Sequence, residues 1–418
     1  MNIWYLHHYA TPDCMPGLHR PFEFGKFFLE EGHKLTVFTA SFLHYSYENI
    51  ISDKKLYEIK YYDGIQTVFV KTCDYSSNFK RVFNMYDFYK GVKKIARSKI
   101  KEIENPDIII ASSPHPLTMM AGNSLAKKFK VPCICEVRDF WPEVFFTSGK
   151  LREKSLIGKF LLLMEKKIYH KADALLFLKE GDYEYILERK WDVDNNGPIN
   201  MEKCLYVNNG VDIELFDSRK EINIVNDKDL LSKKFKIVYC GAIRPINNVE
   251  VLVDVGKLLG DEYEILIYGT GNCVDSIKDK IKSQNITNVK LKGYIDNKYI
   301  PFILSNSSLN ILNYSKTNYN WSRGNSSNKL FEYLASARPV VSTVKMGYDI
   351  LERYNCGISS EGESAEEIAC AIKKIKSLND IEYQTMCKNA RIASEYFDIK
   401  VLSKKYIEIL NKVKFKEK

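Results

Sequence analysis

The chain has 418 residues, 45% hydrophobic and 28% charged, which excludes a disordered polymer and allows two domains, each with its own core. Its formal charge of +9 suits anionic partners such as nucleotide phosphates, nucleic acid or an acidic membrane face. No stretch reaches the roughly 18 apolar residues of a spanning helix, and MNIWYLHHYATPDC lacks the basic and long apolar regions of a secretory leader, so any membrane contact is expected to be peripheral.

The elements alternate along the first half. Residues 2–6 read as a strand, 21–31 as a helix ended by Gly32, and 35–39 as a strand. A hairpin turns at Asp63-Gly64 within YEIKYYDGIQTVFV. Residues 79–104 form a long basic helical segment. Then come a buried strand (107–111), a helix (117–129), a strand (131–137), a helix (155–170) and a strand (172–178). The turn-rich stretch 191–201, a short strand at 207–209 and the charged, irregular 217–235 place a domain boundary near 190–210.

The second half restarts the pattern. Strand 236–240 ends at Gly241, a helix covers 248–259, and strand 263–268 ends at Gly269-Thr270-Gly271. Residues 289–291 lead to Gly293, followed by a helix (297–304), a strand (309–312), a helix (328–337), a strand (339–343) and a helix (364–377). A basic tail helix spans 384–414. The fold class predicted is α/β: two Rossmann-like domains, 1–200 and 201–385, with parallel sheets facing a central cleft. Residues 386–418 form a basic helix packing back toward the first domain. The ten cysteines mostly sit in strand-like runs; Cys133-Ile134-Cys135 lacks zinc-knuckle spacing, so reduced core thiols and no structural metal are expected.

Ligands of such sheets sit at the carboxyl ends of strands, so the loops there carry the candidates. Gly17 precedes the helix at 21–31, where backbone N–H groups can approach an anion. His115, held between Pro114 and Pro116, can exchange a hydrogen bond or proton with a substrate hydroxyl; a structural role is equally open. Arg138 and Asp139 stand beside Phe140 and Trp141; they can pair with each other or face a sugar. Arg244 follows Gly241 and suits a diphosphate. Gly269 belongs to a lone GxG, weak evidence without the full fingerprint. In NSSNKLFEYLASARPVVSTV, residues 325–344, the helix start at Asn328 brings free N–H groups and Lys329. Glu332 comes one turn later, able to hold a ribose diol or merely to offset the helix dipole.

These segments together resemble the family 4 glycosyltransferases of the GT-B fold. The markers are HHYATP, GLHRPFEFGKFFLEEGHKLTVFTASFLH, PDIIIASSPHPLTMMAG, VPCICEVRDFWPE, GAIRPINN and NKLFEYLASARPVVS. The likeness is nearest the WbuB-like enzymes of O-antigen and capsule synthesis. It implies a metal-independent, retaining transfer from a nucleotide-diphosphate donor, expected to be a UDP-linked N-acetylated hexose or deoxyhexose. No cofactor is implied. The donor would be bound by Gly17, Arg244, Gly269, Asn328, Lys329, Leu330 and Glu332, with Glu332 on the ribose. His115, Arg138 and Asp139 would serve the transfer, His115 orienting or polarising rather than acting as nucleophile. The first domain would take the acceptor, a polyprenyl-diphosphate-linked saccharide.

Two departures from the family pattern stand out. Gly324 occupies the place of a first glutamate, and Ala242 and Asn247 replace an arginine and a lysine of the usual diphosphate clamp; Arg244 and Lys329 are the nearest cations. Residues 79–101 mix aromatics with cations, and nine Lys or Arg fall within 71–101, so an anionic membrane surface is expected there. Helix 155–171 is expected to pack as core. The implied location is cytoplasmic, on the inner face of the cell membrane. A nucleic-acid partner is not expected, since no binding module is recognisable. A nucleotide-sugar epimerase of the same architecture, or a non-catalytic sugar-binding protein, is the alternative.

Overall fold

The computed structural model describes residues 1–98, 100–316 and 320–415. Lys99, within the basic segment expected at a membrane, and residues 416–418, at the end of the expected tail helix, lie outside the described residues. The chain divides into two compact units: Met1–Val207 with the segment beginning at Ser403, and Asn208–Leu402.

The first unit carries an eight-stranded sheet. Its strands are β1 (Asn2–His7), β2 (Lys34–Ala40), β3 (Tyr57–Tyr62), β4 (Ile65–Val70), β5 (Ile108–Ser112), β6 (Cys133–Val137), β7 (Ala174–Phe177) and β8 (Cys204–Tyr206), in the order β3-β4-β2-β1-β5-β6-β7-β8. All pairs are parallel except the β3–β4 hairpin, whose turn places Asp63 and Gly64 at positive φ (48° and 80°). The central strands are buried on both faces, hence the unbroken apolar runs IIIA and ALLF. The chain leaves β1 toward β2 on one side and returns to β5 on the other. The ends of β1 and β5 therefore form the switch point where such sheets take ligands.

The second unit holds six parallel strands: β9 (Phe235–Cys240), β10 (Tyr263–Tyr268), β11 (Val289–Gly293), β12 (Leu309–Leu312), β13 (Val340–Ser342) and β14 (Gly357–Ser359). Their order is β11-β10-β9-β12-β13-β14, which puts the switch point between β9 and β12. Two parallel-dominated sheets in an α/β chain are the fold class that the alternation of elements predicts.

Several local expectations are corrected. The strand expected at 207–209 lies earlier, at Cys204–Tyr206. The basic helix expected over 79–104 ends at Ile95. The tail is two helices, Asp380–Tyr396 and Ile399–Lys414. Phe397 turns inward onto Phe331, ring centroids 4.9 Å apart, and Val211 bonds the backbone on both sides of Asp398, which breaks the helical run. Helix Leu156–Lys171 packs as core only in part: Ile168 and Tyr169 join the main core and Leu162 and Met164 pack against it, but Leu156, Ile157, Phe160 and Leu163 stand in solvent. All ten cysteines are free thiols; Cys14 and Cys370 are exposed rather than in the core.

Candidate functional site

Helix Asn328–Ala335 follows β12 and starts at the switch point of the second unit. The hydroxyl of Tyr333 fixes its distance from β9 by accepting from Cys240 N (3.0 Å) and donating to Cys240 O (3.1 Å). This brings the first turn of the helix against the loop after β9. Lys329 Nζ donates to the Tyr239 hydroxyl (3.0 Å) and lies 4.8 and 5.4 Å from the ring centroids of Tyr239 and Tyr314. With its amide oriented to satisfy both neighbours, Asn247 donates to Ala242 O (2.8 Å) and accepts from Lys329 Nζ (3.2 Å). Asn313 in turn holds the carbonyls of Asn247 and Asn248 at 2.6 and 2.7 Å.

Gly241 leaves the space that the Lys329 side chain fills: a Cβ there would stand 2.6 Å from Nζ. Gly269 serves the neighbouring contact, because a Cβ on it would collide with the Gly241 carbonyl. The glycine of the lone GxG is thus required by loop-on-loop packing, whatever else its N–H groups do. Burial pushes the Lys329 amine down to about 8, since stripping water disfavours its charged form more than Cys240 and Glu332 favour it. Arg244 is exposed on the same loop and lowers it further.

The start of the helix is well furnished with donors. Asn325 Oδ1 accepts from Ser327 N (2.8 Å), while Asn325 Nδ2 and the Ser327 hydroxyl are buried without a partner. Unpartnered donors at a helix N-terminus are of the kind that suits an anion. Asn208 Nδ2 and Asn209 Nδ2 hold the carbonyls of Asn325 and Ser326 at 3.0 and 2.6 Å, so the loop is braced from the segment after β8. Asn328 is exposed and Glu332, one turn on, half-buried. Leu330 differs from its neighbours: its side chain is in the core, and its N–H donates to Ser327 O at 3.1 Å.

In the first unit the switch point gathers histidines. Asn84 Nδ2 donates to Cys73 O (2.6 Å), leaving Oδ1 to accept from His8 Nε2 (2.7 Å). His8 Nδ1 must then accept from His115 Nε2 (2.8 Å). Both rings are neutral, because burial pushes His8 down to about 3 and His115 well below its ordinary value. The relay therefore leaves His115 Nδ1 as an acceptor, buried and without a partner. Arg138 directs its guanidinium at His7 Nε2 (3.4 Å), and no ion pair joins it to Asp139 among the described residues. The backbone N–H groups of both converge on Ser113 Oγ, at 2.8 and 3.4 Å.

Glu136 is the buried carboxylate of this region. Burial raises it, but Arg20 at 2.8 Å, Arg138 and Ser112 outweigh that and hold it at about 2. Tyr5 and Tyr406 also donate to it, which makes Glu136 a structural anchor. Gly17 lies in the first unit, on the loop closed by Thr11 N to Leu18 O at 3.1 Å. The structure thus groups Arg244, Gly269, Asn328, Lys329 and Glu332 around one loop–helix junction, and His115 with Arg138 and Asp139 at the other switch point. The bracing amides Asn84, Asn208, Asn209 and Asn313 and the aromatic wall Tyr239 and Tyr314 escaped sequence reasoning. Only the asparagine-rich strand ends, VNNG and ILNYS, hinted at them.

Residues 234–377 match the family model described as Glycosyl transferases group 1. The putative teichuronic acid biosynthesis glycosyltransferase TuaH of Bacillus subtilis (strain 168) is 25% identical over 266 residues, covering 60% of this chain and 62% of the relative, so the match spans less than two thirds of that protein. Among solved structures, sucrose-phosphate synthase from Thermosynechococcus elongatus superposes with a TM-score of 0.71 at 15% identity, covering 99% of this chain and 98% of that one. HepE of Anabaena in complex with UDP gives 0.68 at 14% identity, covering 98% and 100%. The fold is accordingly GT-B, and the group 1 match lies within the second unit.

Proposed function

We propose that the protein is a retaining glycosyltransferase that moves a sugar, an N-acetylated hexose or deoxyhexose, from a UDP-linked donor to a polyprenyl-diphosphate-linked saccharide in surface polysaccharide synthesis. The observation that carries this reading is the junction of Gly241, Lys329 and the open start of helix Asn328–Ala335. As the glycosidic bond breaks, the departing diphosphate gains negative charge. A fixed ammonium, the N–H groups of a helix start and the unpaired donors of Asn325 and Ser327 stabilise that charge without rearranging. Arg244 adds a second cation from the loop after β9. Glu332 takes the ribose hydroxyls. These cations belong to the chain itself, so the reading has no step that requires a metal.

The first unit supplies the acceptor side. His115 Nδ1 is the free acceptor for a sugar hydroxyl, orienting it rather than forming a bond to the sugar. Residues 79–101 face an anionic leaflet, where a polyprenyl-linked acceptor resides, which implies a place on the inner face of the cell membrane. The group 1 match, UDP in a structural neighbour and the teichuronic acid relative support this reading.

The test is a panel of nucleotide sugars incubated with membrane lipid extracts, with and without a metal chelator, followed by the anomeric configuration of the product. Acceptor-dependent release of UDP with retention is the expected outcome. Conversion or hydrolysis of the donor with no acceptor present would favour the epimerase instead.

A further inference from the structure

Helix Leu156–Lys171 carries an apolar ridge that nothing in its own unit covers. Leu156 is 87% exposed, Ile157 63%, Phe160 65% and Leu163 66%. Residues 156, 160, 163 and 167 follow helical spacing, so three large apolar side chains and Lys167 share one stripe, with Ile157 and Lys159 at its edges. The opposite face is tied down, with Gly158, Glu165, Ile168 and Tyr169 buried and Asn123 Nδ2 bonded to Ile168 O at 3.1 Å. Ser155 caps the helix by accepting from Gly158 N at 3.1 Å, so the ridge begins on an ordered first turn.

The charge around the ridge is predominantly positive. Lys150, Arg152, Lys154, Lys159 and Lys167 are exposed, while the acids of the segment are engaged elsewhere: Glu153 pairs with Arg189, and Glu165 is buried against Tyr169 and Tyr185. A second ridge of the same make lies on helix Asn78–Ile95, where Phe79, Val82, Phe83 and Tyr86 are exposed and Lys90 and Lys94 follow. Helix Pro116–Phe129 touches both ridge-bearing helices. Each helix connects parallel strands and so runs against them. The first halves of both, where the ridges are, therefore lie at the strand ends that carry His115 and Arg138.

We infer that the ridge Leu156–Leu163 is a membrane-docking element that seats in the headgroup layer of an anionic bilayer. It is an apolar stripe in a rim of five exposed cations whose one exposed acid, Glu153, is paired with Arg189, the composition of an in-plane interfacial helix. Two copies of this face would oppose like charges, which disfavours self-association through it. No helix among the described residues is long and apolar enough to cross a membrane, so this docking is lateral. It stands on the surface of the first unit and does not depend on the catalytic reading.

The experiment is flotation of the full chain with vesicles of phosphatidylglycerol and phosphatidylcholine, against phosphatidylcholine alone. The protein should float with the anionic vesicles and be released by salt. The triple variant Leu156→Ser, Phe160→Ser, Leu163→Ser should lose binding by about tenfold or more, with its melting temperature and UDP binding unchanged. The pair Phe79→Ser, Phe83→Ser, made separately, should also weaken binding. Retention of the triple variant at the wild-type level overturns the inference, as does absence of the wild type from anionic vesicles. Concentration-dependent dimerisation that the triple variant abolishes would also overturn it, by identifying a second copy as the occupant.

Discussion

Lys329 occupies the place a side chain at Gly241 would fill: its Nζ lies 2.6 Å from that missing Cβ. The cation of the β9 loop is therefore delivered from the neighbouring helix, with Asn247 accepting from the amine at 3.2 Å. Gly241→Ala should push the amine away from its three oxygen and ring partners and lower UDP affinity by about tenfold, the worth of one charge-assisted hydrogen bond. Calorimetric titration measures it. Wild-type affinity in a folded variant would remove the lysine from the site.

With its pKa lowered to about 8, Lys329 should make UDP binding pH-dependent. A diphosphate beside the amine favours its protonated form, so binding above pH 8 takes up a proton and UDP affinity should fall as pH rises through that value. Titrations in buffers of different ionisation enthalpy would show the uptake directly, and Lys329→Met should abolish it. For folding the sign is opposite. The unfolded amine holds its proton up to about 10.5, so this group makes stability rise with pH between 8 and 10.5.

Glu332→Ala should weaken UDP by roughly tenfold to a hundredfold, since a carboxylate on two ribose hydroxyls makes two charged hydrogen bonds. The helix should survive, because Glu332 is half-buried and the core contacts come from Leu330, Phe331, Tyr333 and Leu334. Deoxy-ribose analogues should bind wild type and variant alike. Tighter binding of UDP than of 2′-deoxy-UDP by the variant would move the ribose contact elsewhere.

The fold was legible because its signals are local. Buried parallel strands read as apolar runs, and Gly241, Gly269 and Gly293 punctuate their ends. The helix start at Asn328 was legible for the same reason. What could not be read is who meets whom. Nothing in GAIRPINN shows that Lys329, more than eighty positions away, fills its glycine, or that Asn247 is that lysine's acceptor rather than a lost cation. The exposed ridge at 156–163 was misread as core because periodicity shows that a helix has an apolar face, not that the face is covered. Its buried face combines Ile168 and Tyr169 with Gly158 and Glu165, and a small residue and a carboxylate are positions that no hydrophobic pattern announces.

The first unit should show a stability maximum in mildly acidic solution. Burial raises Glu165 from 4.5 to about 8 despite hydrogen bonds from Tyr169 and Tyr185. The folded state thus holds a proton that the unfolded state releases above pH 4.5, and stability falls as pH rises from there to 8. His7, His8 and His115 act oppositely. Burial lowers all three, so the unfolded state binds protons first and stability is lost as pH falls below 6.5. Glu165→Gln should flatten the alkaline limb, raising stability at pH 8 relative to pH 5 on the scale of a few kcal/mol. Denaturant midpoints across pH measure it; an unchanged alkaline limb would show that Glu165 is ionised in the folded protein.

The relay from Cys73 through Asn84 and His8 fixes which nitrogen of His115 can accept a hydrogen bond. Asn84→Leu removes the acceptor for His8 Nε2, so the His8 proton can move to Nδ1 and His115 must then carry its own proton on Nδ1. That converts the free acceptor into a donor. Turnover should fall by about a hundredfold or more, the usual worth of a positioned base, while UDP affinity in the second unit stays unchanged. His115→Ala should have the same pattern, costing turnover more than donor affinity. Nitrogen NMR of the ring distinguishes this from a merely loosened core. The wild type should show His115 protonated at Nε2 and not titrating down to mildly acidic pH, and Asn84→Leu should shift the signal to the other tautomer. A variant with the wild-type tautomer and reduced turnover would reduce Asn84 to a packing residue. A shifted tautomer with full turnover would take His115 out of the reaction.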